Sequence, residues 1–580
     1  MRRVILATAV SAQALIAGMA HAQEADEARR LSPVVITSAP GPDRSSDELV
    51  GNATALDRQD IVGRLSGTLG DTLAGEPGVS SSFFGQGASR PVLRGLGAER
   101  VQVLTNGIGV IDVSAASPDH QVTTDGIDAD KIEILRGPAA LAYGGQAIGG
   151  VVNVIDGLIV DELPERSGGG EAYGAYNSVN DGTEGGVRTN LTAGSFVLAL
   201  SASKRDFGDF RIPGLAESSQ LRHQEELEHE AEGGEEEEHD HEEAGNGSVS
   251  DSFLNTQAYG AGLSWVGDRA FAGLAVRRQT AEYGISGHEH EHDGEEEEGA
   301  EEEAAPYIDL EQTRVDFRGG IKIDGEVLKA LTATLSHSGY EHSEIEGGAA
   351  SSVFKSDGYE GRVELDHTFA GFEGSAGAQF LNKSLDASGG EALLTPTDTQ
   401  SWALFLYETR DWDSGFGLEG GLRYEQLEHD NQVAGKAEYD LVSASAGLHQ
   451  HFGEAWFMGA QLAYTERAPN ESELFAFGPH LATAQFEVGD TGLDKERGLN
   501  LEGTLRWQGE RLNAGINVFH TAFSDFIFLA PGSFDQGSGP VTEEDGLPVF
   551  VFSQDDATFY GGELYGEYLI DEGALGANWT

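Results

Sequence analysis

The sequence predicts an all-β protein that closes into a transmembrane barrel, and three observations carry the prediction. Beyond residue 166 the chain breaks into segments of roughly ten residues with two-residue alternation, the pattern of strands with one face in lipid and the other toward a lumen. After the N-terminus no stretch is apolar for long enough to cross a bilayer as a helix, so a spanning chain must satisfy its backbone in a closed sheet. Glycine is abundant, 80 residues against 16 prolines, and supplies the left-handed conformations that hairpin turns need.

At the N-terminus, Arg2 and Arg3 precede an apolar stretch from Val4 to Ala20, which ends at Ala20-His21-Ala22 before Gln23. Charge, apolar core and small-residue cleavage site together make residues 1–22 a secretory signal peptide. The stretch is too short, and too polar at Ser11 and Gln13, to be a membrane span. The mature protein is therefore expected to be exported. The chain has no cysteine, which excludes disulfides, thiolate metal sites and a lipidated Cys anchor. A formal net charge of -62 excludes nucleic acid as a partner and favours cations. A disordered acidic protein could carry such a charge, but not the sustained strand patterns.

Those patterns are explicit in two places. In Leu499 to Trp507 one face carries Leu499, Leu501, Gly503, Leu505 and Trp507, and the other Asn500, Glu502, Thr504 and Arg506. In Ala455 to Tyr464, Trp456, Met458, Leu462 and Tyr464 alternate with Gly459, Gln461 and Ala463. Trp and Tyr at segment ends suit interfacial girdles. A soluble β-sandwich would also alternate.

The most specific stretch lies upstream of the strands. Asp128 to Ile155 contains Arg136-Gly137-Pro138 and a glycine-rich turn, Gly144-Gly145-Gln146-Ala147-Ile148-Gly149-Gly150, between apolar segments. Arg90-Pro91-Val92-Leu93-Arg94-Gly95-Leu96-Gly97 precedes it, and Ser32-Pro33-Val34-Val35-Ile36-Thr37 stands near the mature N-terminus. These motifs resemble those of TonB-dependent outer-membrane receptors, from residue 32 to the end. The resemblance implies an N-terminal α+β plug in the lumen of a 22-stranded barrel, and a TonB-type periplasmic energy-coupling protein that grips Val34, Val35, Ile36 and Thr37. The implied organisation is a periplasmic segment at 23–45, a plug at 46–166 and the barrel at 167–580. Gly576 to Thr580 reads as the inside of a strand without the terminal aromatic strand of such barrels, so a C-terminal truncation with several strands missing is expected. The stretch Gly144 to Gly149 can be forced onto a dinucleotide-type glycine pattern, but it falls between plug strands with no βαβ unit. No spacing suggests nucleophilic catalysis, so no enzyme and no cofactor are expected.

Two insertions, at 215–250 and 286–305, depart from the strand pattern. The first holds His223, His229, His239 and His241 among glutamates; the second opens with His288-Glu289-His290-Glu291-His292-Asp293. Neutral imidazole beside carboxylate suits divalent Zn, Ni and Cu, and these runs are expected to be weak metal collectors. The plain alternative, a solvated acidic run, leaves the clustered histidines unexplained.

A more defined site begins at Ser117-Pro118-Asp119-His120. A carboxylate and an imidazole adjacent on a proline-stiffened loop can supply two ligands, and the motif resembles the zinc-uptake branch of the family, which implies Asp119 and His120 as plug ligands. In Leu331 to Glu346 alternation places His342, Glu344 and Glu346 on the polar, lumenal face, opposite Leu331, Ala333 and Leu335. Phe477-Gly478-Pro479-His480 resembles a family loop that returns a histidine to the plug. The expected set is Asp119, His120, His480 and one of the strand glutamates, with Glu344 preferred to Glu346, an N/O set that suits tetrahedral zinc.

The function so implied is energy-coupled import of a divalent metal ion, zinc, across the outer membrane of a Gram-negative bacterium, with Zn²⁺ as cargo. The first alternative keeps the architecture and changes the cargo to haem, a siderophore, copper or nickel. Acid-rich loops would repel an anionic siderophore, and 3 methionines in the chain discourage copper. The second alternative is a surface metal-binding protein that transports nothing, which would have no use for Val34 to Thr37.

Overall fold

The computed structural model describes residues 35–36, 44–45 and most of 49–568; residues 217, 221–222, 224–245, 287–305 and the single positions 391, 454, 510, 536 and 538 are outside the description. The signal peptide, Val34, Thr37, His229, His239, His241, His288, His290, His292 and residues 569–580 thus lie outside the described residues.

The plug is built on a five-stranded sheet in the order Thr54–Asp57, Lys131–Leu135, Gly150–Ile155, Val101–Thr105, Ile108–Gly109. Gly150–Ile155 and Val101–Thr105 run parallel; the other pairs are antiparallel. Two short helices cover it. Arg58–Arg64 is capped by Asp57, whose carboxylate accepts from the Gln59 and Asp60 amides, and Leu69–Leu73 is capped by Thr68. Their apolar faces bury Ile61, Leu69 and Leu73 against Leu56, Ile132, Ile134, Val152 and Val154. The Gly137–Tyr143 and Gly145–Ala147 turns join two sheet strands. Gly144 between them has φ +116, and a Cβ there would come within 3.2 Å of Glu425 and 3.3 Å of Arg423. Backbone conformation and proximity to the barrel wall both demand glycine at that position.

Around the plug runs a nineteen-stranded sheet. Sixteen of its members are long, from Gly168–Asn177 (10 residues) to Leu547–Tyr568 (22 residues). The other three, Phe477–His480, Gln485–Val488 and Glu543–Glu544, belong to loops folded back on the wall. The all-β class stands. The wall differs from the twenty-two strands implied by resemblance: residues 168–568 supply sixteen, and among the described residues Gly168–Asn177 and Leu547–Tyr568 are not paired with each other. The alternation holds on both expected segments. Trp456, Met458, Leu462, Leu499, Leu501 and Leu505 face outward and are exposed, whereas Gln461, Glu502, Thr504 and Arg506 face inward and are buried.

Inward arginines hold the plug by its backbone. Arg506 donates to the carbonyls of Leu49 (2.8 Å) and Gly51 (3.1 Å), Arg314 to Thr105 (3.0 Å), Arg277 to Thr123 (3.0 Å), and Arg362 and Arg423 to Ala142 (2.8 and 2.9 Å). Burial between plug and wall explains this use of arginine, since a buried guanidinium has to find acceptors for a fork of donors. Ile36 is buried beneath the plug with Leu49, Leu104, Leu135 and Val151, and Val35–Ile36 pairs with Arg44–Ser45.

Short turns, such as those at Gly194 and Ala370-Gly371, lie at one end of the barrel, and long connections at the other. Between Trp456–Arg467 and Glu496–Gln508, one long connection forms the helix Glu471–Phe475, with an Asn470/Glu473 capping box, and then the hairpin Phe477–His480 with Gln485–Val488. Gln485–Val488 also runs parallel to the long strand Leu547–Tyr568, through Phe486 with Val549, Glu487 with Phe550 and Val488 with Val551. This hairpin closes over the part of the plug that carries Asp119 and His120.

Candidate metal centre

Three segments converge on one small volume. The plug loop after Ile108–Gly109 brings Ser117, Asp119 and His120; the strand Leu328–Glu346 brings Tyr340, His342 and Glu344; the hairpin brings His480 and Glu487. Asp119, His120 and His342 are 1 to 2 % exposed, so each charge and lone pair has to be satisfied by the protein or by a ligand.

His120 donates its Nδ1 proton to the Val113 carbonyl (3.1 Å), which turns Nε2 toward Glu344 Oε1 at 3.3 Å. His342 is held through Nδ1 by the Tyr340 hydroxyl at 2.7 Å and stacks on Phe354, with 4.7 Å between ring centroids. Its Nε2 lies 3.7 Å from Glu344 Oε1 and is buried, with no hydrogen-bond partner among the described residues. The donor atoms of His120, His342 and Glu344 all fall within 4.8 Å of one another. Donors about 2.0–2.1 Å from a common tetrahedral zinc would stand about 3.3 Å apart, so these spacings need little adjustment to hold an ion. Ser352 steadies Glu344 by donating to its other carboxylate oxygen.

The second half of the cluster adjoins the first. Asp119 Oδ2 is 3.9 Å from His120 Nε2, and Asp119 Oδ1 is 3.4 Å from His480 Nε2. Ser117 Oγ bonds Asp119 and is 2.7 Å from His480 Nε2, and the opposite ring nitrogen of His480 donates to Glu487 at 2.7 Å. The Tyr283 hydroxyl fixes the loop from below, donating to the Asp119 carbonyl and accepting from the Gln121 amide, both at 3.0 Å.

The charges in the plug loop and hairpin are strongly coupled. Burial alone would raise the Asp119 carboxyl, but the charges of His120 and His480 and a hydrogen bond from His480 hold it below the usual carboxylate range. Burial would lower both imidazoles. Asp119 and Glu344 outweigh it at His120, which is raised, and Asp119 and Glu487 outweigh it at His480, which is pushed up to about 10.

Of the residues expected from sequence, His120, His342 and Glu344 form the tight donor group, and Asp119 and His480 form an adjoining pair. Glu346 lines the same cavity of about 30 Å³ but lies outside the donor group. His223 is exposed. Sequence reasoning passed over Ser117, Tyr283, Tyr340 and Glu487. Tyr340 shares the parity of His342 and Glu344 and could have been found by it; Glu487 carried no signal.

Comparison with known proteins adds the following. The family profile described as TonB dependent receptor-like, beta-barrel matches residues 243–580, and that of the TonB-dependent Receptor Plug Domain matches residues 45–151. A vitamin B12 transporter of Vibrio vulnificus is 27 % identical over 157 residues, which cover 27 % of this chain and 25 % of that protein. A hemin receptor of Yersinia enterocolitica is 29 % identical over 191 residues, covering 32 % and 27 %. The matched region thus spans about a quarter of the length of these curated relatives. Among solved structures, the copper transporter OprC superposes with a TM-score of 0.67 at 16 % identity, covering 93 % of this chain and 79 % of that one. The Serratia marcescens hemophore receptor HasR does so with a TM-score of 0.70 at 16 % identity, covering 90 % and 80 %.

Proposed function

Because the chain belongs to the TonB-dependent receptor family, outer-membrane β-barrels of Gram-negative bacteria with a plug in the lumen, we propose that it imports a divalent metal ion, zinc before others, by energy-coupled transport. The observation that carries this reading is the buried Nε2 of His342, which among the described residues has no hydrogen-bond partner and faces Glu344 beside His120. A buried imidazole nitrogen without a hydrogen bond costs about 1–3 kcal/mol, and a bound cation removes that cost. Imidazole and carboxylate without thiolate or thioether suit zinc. The cavity of about 30 Å³ lined by Asp119, His120, Glu344 and His480 has room for an ion.

Capture starts in the negative field of the chain, net charge -62, which concentrates cations at the mouth of the barrel. The ion exchanges water for His120, His342 and Glu344, with Asp119 and His480 completing the shell. A TonB-type partner then pulls on residues 34–37. Ile36 packs in one cluster with Leu135, which precedes the Arg136-Gly137-Pro138 turn, and with Val151 of the neighbouring strand, so a pull there loads the plug core directly. Displacing the plug draws Asp119 and His120 away from the donors on the barrel wall and the hairpin, and an ion that loses these two of its five ligands dissociates.

Elemental analysis of the full-length protein purified from outer membranes without added metal tests the reading. About one zinc per chain is expected. Nickel or copper in its place changes the cargo and keeps the site; iron porphyrin, or no metal, contradicts the reading. A surface binder that transports nothing would leave the segment at 34–37 without a role.

A further inference from the structure

Glu487 is not a donor of the metal centre, yet its carboxylate is bonded to the hairpin histidine. His480 Nδ1 and Glu487 Oε1 are 2.7 Å apart, and the two residues are 6 % and 4 % exposed. Among the described residues, His480 is the only hydrogen-bond partner of this buried carboxylate, and a buried charge has to be paired. Only one nitrogen of an imidazole can face the ion. With Nδ1 committed to Glu487, Nε2 points at Ser117 and Asp119, 2.7 and 3.4 Å away.

The backbone of Glu487 is held from both sides. It pairs antiparallel with Gly478 of its own hairpin and parallel with Phe550 of the long strand Leu547–Tyr568. The carboxylate therefore stands on the barrel wall as a fixed post, while His480 sits on the outer limb of the hairpin beside it.

We propose that Glu487 is a positioning residue of the metal centre: by accepting the Nδ1 proton of His480 it fixes the ring with Nε2 toward the ion. The proposal rests on the reading of this centre as a zinc site. Carboxylates behind ligand histidines fix ring orientation and raise ligand basicity, and their loss typically weakens metal binding by about 10- to 100-fold.

The test is a zinc titration of the full chain in detergent, in competition with a chromophoric chelator. The set is wild type, Glu487→Ala, Glu487→Gln, His480→Ala, the Glu487→Ala/His480→Ala double variant, and His120→Ala as control. Glu487→Ala is expected to weaken zinc by about 10- to 100-fold in the wild-type background and by less than about threefold when His480 is already alanine. Glu487→Gln, which keeps the shape and an acceptor, is expected to retain more affinity than Glu487→Ala. Equal losses from Glu487→Ala in both backgrounds would assign Glu487 to the stability of the hairpin alone and overturn the proposal, as would no loss in the wild-type background. Zinc affinity untouched by His120→Ala would overturn the zinc reading itself, and this proposal with it.

Discussion

Replacing His342 with leucine separates a metal ligand from a core residue, because the two roles give opposite outcomes. The substitution removes a buried nitrogen that has no hydrogen-bond partner among the described residues, which is worth about 1–3 kcal/mol. It also strips the Tyr340 hydroxyl of its 2.7 Å partner, a loss of similar size. The leucine still packs on Phe354, so the metal-free protein should change by less than about 1 kcal/mol. The effect of zinc should change much more. Loss of a direct donor is expected to weaken zinc by at least about 100-fold, the upper end of what loss of a supporting residue costs. At free zinc one hundred times its dissociation constant, the wild-type fold gains about 2.7 kcal/mol; at the same zinc, the weakened variant gains about 0.4 kcal/mol. Unfolding measured in chelator and in buffered zinc reads both numbers. A variant that keeps the full zinc-dependent gain would refute His342 as a donor.

Three further outcomes follow from the same geometry. His120 and His480 are both raised when metal-free, so the stabilisation their protons give to the docked plug loop and hairpin is fully present below about 6.5 and, for His480, is lost as pH rises through about 10. Zinc has to displace those protons, so its affinity should climb with pH across that window; calorimetry in buffers of different ionisation enthalpy should show at least one proton released at pH 7, and release of none would contradict the coupling. Deleting residues 34–37 should abolish zinc-limited growth support and leave zinc binding at the cell surface intact, whereas unchanged uptake would make the protein a passive pore or binder. Arg506→Ala removes two charge-assisted bonds to the plug carbonyls of Leu49 and Gly51, each worth about 1.5–3 kcal/mol, and should raise leakage of large antibiotics through the barrel in a sensitivity assay; unchanged sensitivity would place plug retention elsewhere.

The barrel was legible from sequence because lipid outside and a packed plug inside force alternation on the strands between them, as Leu499 to Trp507 and Trp456 to Tyr464 illustrate. Strand number was not, because the family count says nothing about how many strands 401 residues of wall supply. At the site, parity alone puts His342, Glu344 and Glu346 on one face, but only the position of the plug loop singles out the first two as neighbours of His120. Glu487 was invisible for a physical reason. Its place beside His480 depends on the register of the hairpin between Phe477–His480 and Gln485–Val488, strands of four residues that are too short to show a periodicity. The arginines that clasp plug carbonyls are readable as inward residues, but not their acceptors, which lie on another domain.

The most direct test is accumulation of radioactive zinc by zinc-starved cells that carry the wild-type protein or His120→Ala at equal outer-membrane levels, with and without the protonmotive force. Uptake that requires both His120 and the protonmotive force is the result expected of an energy-coupled zinc importer working through this centre. Equal zinc uptake by the two proteins, or zinc uptake by neither with growth on haem supported by both, would contradict it.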